Sequence, residues 1–169
     1  RIAALTPEQQ LTVKTAAVLG RSFDEAALAE LHPSAAAEAV GADLRAVEAT
    51  GLVQRAAEGG WRFHHAIVAD AAYDSLTSDQ AQRLHARAAG LIAAEAGDAP
   101  DQADIVLIAH HAERAGDAEA ALRHLIAAAE NARAAYANLE VVEFLTRAIA
   151  LAGAQADALT LGEWRYHIA

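Results

Sequence analysis

The sequence contains no cysteine, no methionine, three prolines and a single lysine, Lys14, and aromatic residues make up only 5% of its 169 positions. Without cysteine there is no disulfide scaffold, no thiolate zinc site and no cysteine nucleophile. No run of about 18 apolar residues is present, so no membrane-spanning helix is expected. A basic-then-apolar leader is also missing, and the expected location is cytoplasmic. Positive charge is scarce. Thirteen Lys+Arg stand against 23 Asp+Glu, a net charge of −10, whereas a protein that grips phosphate backbones needs clustered bases. What is abundant is alanine, which supplies most of the 54% hydrophobic content. Alanine is the best helix former and buries little area, so the composition predicts helices packed closely through small side chains. The Ala and Arg bias is that of a GC-rich genome. The length suits one domain or two small ones. Arg1, where a starting Met would stand, predicts a segment of a longer chain.

The first third is strongly punctuated. Thr6 as N-cap, Pro7 at the first helical position and Gln9 form a capping box. Leu11, Thr15, Val18 and Leu19 then share a helical stripe, and Gly20 ends it. Ser22 with Glu25 reads as a second capping box, opening a short helix with Phe23, Ala27, Leu28 and Leu31 inward. His32-Pro33 stops that helix, because the residue before proline avoids helical geometry. Ser34 is expected to cap a third helix whose Val40, Leu44 and Val47 have the spacing of a buried face, closed by Gly51. The period then changes. Leu52-Val53-Gln54-Arg55 and Trp61-Arg62-Phe63 alternate like strands around the turn residues Ala57-Glu58-Gly59-Gly60, predicting a β-hairpin. Three short helices followed by a hairpin is the order of a winged-helix domain, assigned to residues 1–77.

From Ala66 onward every segment reads as helix: 66–77 with Ile67, Val68, Ala72 and Leu76; 78–96 with Leu84, Ala88, Leu91 and Ile92; 101–115 with Ile105, Ile108 and Ala112; then 117–136, 139–151 and 157–168. Helices joined by loops of a few residues form helical hairpins. Stacked pairs make a solenoid of tetratricopeptide type, and Ala121, Leu125 and Ala128 have the small–large–small spacing of such a repeat. The fold expected is mainly α, a winged-helix domain followed by tetratricopeptide-like hairpins over 78–169.

Charge argues against DNA reading by the third helix. Residues 34–49 hold Glu38, Asp43 and Glu48 against Arg45, a balance of 1 − 3 = −2. Major-groove insertion needs phosphate neutralisation and base-edge donors, and this helix offers mainly alanine and acid. Arg55 and Arg62 on the hairpin are read as a solvated face. A DNA-binding winged-helix transcription factor with a helical effector domain is therefore the alternative rather than the first reading.

Leu5-Thr6-Pro7-Glu8-Gln9-Gln10, followed by Ala16-Ala17-Val18-Leu19-Gly20-Arg21-Ser22-Phe23, resembles the start of the winged-helix region in bacterial STAND-type ATPases, AAA-related signalling proteins often fused to class III nucleotide cyclase or LuxR-type DNA-binding domains. Trp61 to Leu76, reading WRFHHAIVADAAYDSL, is similar to that family's segment after the wing. Arg83-Leu84-His85 followed by Ala89 resembles its next element. His111-Ala112-Glu113-Arg114-Ala115-Gly116-Asp117, with Ala121-Leu122 and Tyr136-Ala137-Asn138, is similar to its first repeat helices. The resemblance implies a non-catalytic regulatory and protein-interaction segment. It would couple an upstream nucleotide-binding domain to a helical-repeat sensor for a protein or small-molecule effector. ATP or ADP and Mg would belong to the whole ATPase, and no cofactor to this segment. It also implies that His65, at the MHD position, contacts the β-phosphate of ADP. Here His64 replaces the usual Met and Ala66 the usual Asp. The residue-level alternative is that His65 caps the 66–77 helix and packs on Trp61. No G-x-x-x-x-G-K-[ST] loop is present, since Gly59-Gly60 precedes Trp61, so no catalytic residue is assigned.

The remaining constellations read as structural. His110-His111 point about 100° apart on a helix and, with His124, do not make an i, i+4 ligand pair; no metal is expected. Asp70 and Asp74 share a face without an adjacent base and read as solvated. Ser22, Ser75 and Ser78 have no His–Asp companions. Tyr73 and Tyr136 sit at core spacing and read as packing residues.

Overall fold

The computed structural model describes residues 2–34, 36–57 and 59–153. Among them the chain is mainly helical, with eight α-helices, a short 3-10 turn at Ile2–Ala4 and a three-stranded sheet. It divides into two compact units, Arg1–Arg87 and Ala88–Ala169. The division falls inside a helix, whereas the sequence pattern put it at 77/78. The expected helix over 157–168 and Glu58 of the expected turn lie outside the described residues.

In the first unit, α1 (Pro7–Leu19) begins as its punctuation predicts. Thr6 Oγ1 accepts from the Gln9 amide, and Gln9 returns the bond to the Thr6 amide. The helix is enclosed more widely than a single stripe. Thr12, Val13, Thr15, Ala16, Ala17 and Val18 are all buried, while Leu11 is half-buried. Three local expectations fail after it. Ser22 does not cap a helix; Ser22–Phe23 is a strand, β1, and α2 (Glu25–Leu31) is capped instead by Asp24, whose carboxylate accepts from the Ala26 and Ala27 amides. Ala27 faces solvent while Leu28 and Leu31 are fully buried. Ser34 does not cap α3 (Ala37–Glu48), whose N-cap is Ala36 with no side-chain bond. The helix still forms because Val40, Leu44 and Val47 are fully buried, and burial rather than capping carries most helix stability.

The hairpin comprises β2 (Val53–Arg55) and β3 (Trp61–Phe63), antiparallel with Val53 opposite Phe63 and Arg55 opposite Trp61. Strand β1 pairs with the other edge of β3, giving the order β1-β3-β2. Two residues are too short to show an alternating pattern, which is why β1 is illegible in the sequence. Gly60 sits at φ +71°, and a Cβ there would lie 2.8 Å from the Phe23 carbonyl oxygen. Only glycine lets the turn approach β1 this closely. Trp61 and Phe63 project into a core with Phe23, Leu28, Val40, Leu44, Val47 and Leu52, and the Phe23 and Phe63 rings lie 5.6 Å apart.

Helix α4 (Ala66–Asp74) ends earlier than the expected 77. Thr77 instead opens α5 (Ser78–Ala96), exchanging capping-box bonds with Gln80. Ala69 and Ala72 are the buried residues of α4, and Ile67, expected inward, is 74% exposed. The helix therefore docks through its small residues.

In the second unit, α6 (Gln102–Ala115) starts at a reciprocal Asp101–Asp104 capping box and ends at the left-handed Gly116. Asp117 caps α7 (Ala118–Ala134), and α8 (Asn138–Ala152) follows a short loop. The three pack consecutively. Half of the ten residues in their core cluster are alanine, namely Ala109, Ala128, Ala129, Ala132 and Ala148, placed among Ile105, Leu125, Val141, Phe144 and Leu145. Tyr136, expected to pack, is 89% exposed at φ +59° in the α7–α8 loop, and Leu139 beside it is 87% exposed. The chain reverses at Tyr136, which removes it from the helical periodicity that had placed it inward.

Candidate functional site

His65 stands at the N-cap of α4, directly after the hairpin. Its backbone is extended (φ −134°, ψ 141°) and its carbonyl accepts from the Val68 amide. Its side chain makes no capping bond, so the expectation that the imidazole caps α4 is not met. The imidazole lies instead 3.1 Å, through Nε2, from His64 Nδ1, with ring centroids 4.5 Å apart in an edge-to-face arrangement. Both side chains are exposed. A bond between two ring nitrogens needs a proton on one and a lone pair on the other. The pair is placed by strand and helix together. The His64 amide donates to the Leu52 carbonyl, extending the hairpin ladder by one step, and the chain then turns into α4. Each imidazole can donate to an anion that replaces its neighbour, beside a helix start whose amides carry partial positive charge.

The structure brings together two polar groups that sequence reading missed. In the first, Thr12 Oγ1 donates to Asp43 Oδ2 at 2.9 Å and lies 3.3 Å from His32 Nε2. The Ser34 amide donates to His32 Nδ1 at 3.4 Å. The directions agree with one tautomer: Nδ1 accepts, Nε2–H donates to Thr12, and the Thr12 proton goes to Asp43. Burial holds the His32 pKa below its ordinary value against the opposing pull of Asp43, with Arg87 adding to the lowering. Thr12 is fully buried and His32 5% exposed, so this relay joins α1, α2 and α3 and is closed to a substrate. In the sequence, His32 signalled only the end of a helix and Asp43 only a charge.

The second group centres on Glu25. Its Oε2 accepts from the Trp61 indole N–H at 2.8 Å and lies 3.5 Å from Arg55 Nη1, while the Arg55 guanidinium sits 3.9 Å above the Trp61 ring. Gly41 makes the space, since a Cβ there would be 2.5 Å from Glu25 Oε1. Arg55 thus fastens the hairpin to α2, where the sequence suggested a solvated face.

The other candidate residues are dispersed. Asp70 and Asp74 are exposed. Ser75 Oγ donates to the Ala72 carbonyl, and Ser22 lies in β1. Tyr73 is half-buried, with its hydroxyl 2.9 Å from His85 Nε2. In the second unit His111 is buried, and burial with the neighbouring His110 pushes its pKa down to about 4. His124 Nδ1 bonds the Ala120 carbonyl at 2.8 Å. Among the described residues no three His, Cys, Asp or Glu side chains cluster as metal ligands. Arg147 forms a two-pronged pair with Glu113 and reaches Glu143 at 3.5 Å. The Glu113 bond raises its already high pKa. Among the described residues no helix is long and apolar enough to cross a membrane.

Comparison of the chain with family models, curated proteins and solved structures finds no match.

Proposed function

We propose that the chain is a non-catalytic regulatory and protein-interaction segment of a STAND-type signalling ATPase. In this reading the first unit is a winged helix and the second a tetratricopeptide-like array that receives a protein or small-molecule effector. The observation that carries it is the helix–strand–helix–helix–hairpin order with sheet order β1-β3-β2, leading straight into an exposed histidine at a helix start. The wing is tied to the helices by β1 and by the Glu25–Trp61–Arg55 group. A shift of an adjoining nucleotide domain acting on His64 and His65 would be passed to α4 as a rigid displacement. In the resting state the upstream domain would hold ADP and Mg, and His65 would supply a hydrogen-bond donor to a phosphate of the nucleotide in place of its bond to His64. Small-residue packing of α7 through Ala121, Leu125 and Ala128, all fully buried, supports the repeat reading. The transcription-factor alternative is disfavoured by α3. Its one base, Arg45, faces three acids, and Asp43 is committed to Thr12.

The test is His65→Ala in the full-length ATPase. ADP release should accelerate by about tenfold or more, equivalent to losing one charge-assisted hydrogen bond, with basal activity rising. Unchanged ADP retention would remove His65 from the switch. Duplex DNA binding that falls steeply with salt would favour the transcription-factor reading.

A further inference from the structure

The first unit carries a groove of about 520 Å³ that none of the preceding roles uses. Its apolar walls include Ile2, Leu52, Ile67 and Val68, and its polar groups include Lys14 and Gln10. That volume lies within the range of small-molecule sites, which are mostly apolar with a few placed polar groups. Two features of the lining are unexplained by folding. Ile67 is 74% exposed on a helix that docks through Ala69 and Ala72, so its side chain contributes little to the core. Lys14 is the only lysine of a chain with net charge −10. Its Nζ reaches the Ser75 carbonyl at 3.4 Å, the long end of the hydrogen-bond range. Among the described residues it has no carboxylate partner at ion-pair distance.

We propose that this groove binds a small apolar molecule bearing a single carboxylate, with Lys14 as the anion contact and Ile67 covering the apolar tail. A carbonyl satisfies one of the three ammonium donors and leaves the charge uncompensated. One ammonium against an apolar wall matches one carboxylate on an apolar body. A cationic amphiphile would be repelled, and an uncharged one would gain only the apolar contact.

The probe is decanoate, below its micellar concentration, titrated into the chain by calorimetry and by amide NMR, with decanol and decyltrimethylammonium as controls. Decanoate should bind with a Kd of about 1 mM or tighter and shift amides of α1 and α4 bordering the groove. Lys14→Gln should weaken decanoate about tenfold while leaving decanol unchanged, Lys14→Arg should restore decanoate, and Ile67→Ser should weaken decanoate and decanol alike. Absence of decanoate binding, equal binding of decyltrimethylammonium, shifts centred away from the groove, or indifference to Lys14→Gln would each overturn the assignment. None of these outcomes depends on His65 or on the ATPase reading.

Discussion

The two units solve the same burial problem with different side chains. In the first, Trp61, Phe23 and Phe63 fill the space between helices and hairpin, and only four of fifteen clustered core residues are alanine. In the second, alanines let helices approach closely, and one larger residue per layer, such as Leu125 or Phe144, fills what remains. Polar bonding differs too. The first unit buries Thr12 and His32 in a relay between elements, while the half-exposed Glu25 bonds Trp61 and Arg55. The second bonds across helices mainly at half-exposed positions, as in Glu113–Arg147 and Gln102 to the Ala128 carbonyl. An aromatic core concentrates stability in a few residues, whereas an alanine seam spreads it over many.

Core truncation should separate the units most. Trp61→Ala removes a fully buried ring together with its bond to Glu25 and the Arg55 stack, and should cost about 4–5 kcal/mol. Leu125→Ala, also fully buried, should cost about 3 kcal/mol, because flanking alanine backbones already limit the cavity that can open. Amide hydrogen exchange, read separately in α1–α3 and α6–α8, checks both. Equal losses would erase the contrast.

Acid should act next, on the second unit. The folded pKa of His111 lies at about 4, below the ordinary 6.5, so the unfolded chain binds the proton first. Its contribution is complete above pH 6.5 and is lost as pH falls toward 4. At about 1.4 kcal/mol per pH unit this amounts to about 2–3 kcal/mol. Denaturant unfolding at pH 7 and pH 4 should show that loss, and His111→Gln should flatten it. In the first unit burial lowers the His32 pKa, so its pH dependence has the same sign.

Surface pairs should matter least. Arg147→Ala breaks a pair whose side chains are 27% and 22% exposed and should cost about 1–2 kcal/mol. Arg123→Ala breaks a pair with Glu119 exposed at 61% and 86% and should cost under about 0.5 kcal/mol in thermal unfolding.

Legibility followed the range of the interaction. The Thr6–Gln9 box, the stop at His32-Pro33, the hairpin around Gly59-Gly60 and the bounds of α5 are local effects and read correctly. Ser22 and Ile67 depart from the local reading because each depends on what lies across the fold, whereas Tyr136 departs from it because the chain reverses there. Ser22 is drawn into a strand by Arg62 opposite it, and Ile67 turns outward because Ala69 and Ala72 fit the contact better. His65 was located at a helix start by sequence, yet its partner is His64 rather than the helix amides.

By itself the sequence determined the helical character, the single hairpin and the acidity of α3, since propensity, turn chemistry and charge act over a few residues. Tertiary structure alone decided the third strand, the buried Thr12–His32–Asp43 relay, the Glu25 contact with Trp61 and the groove beside Lys14. Each joins residues distant in sequence, and burial sets the worth of such contacts only once the chain has closed around them.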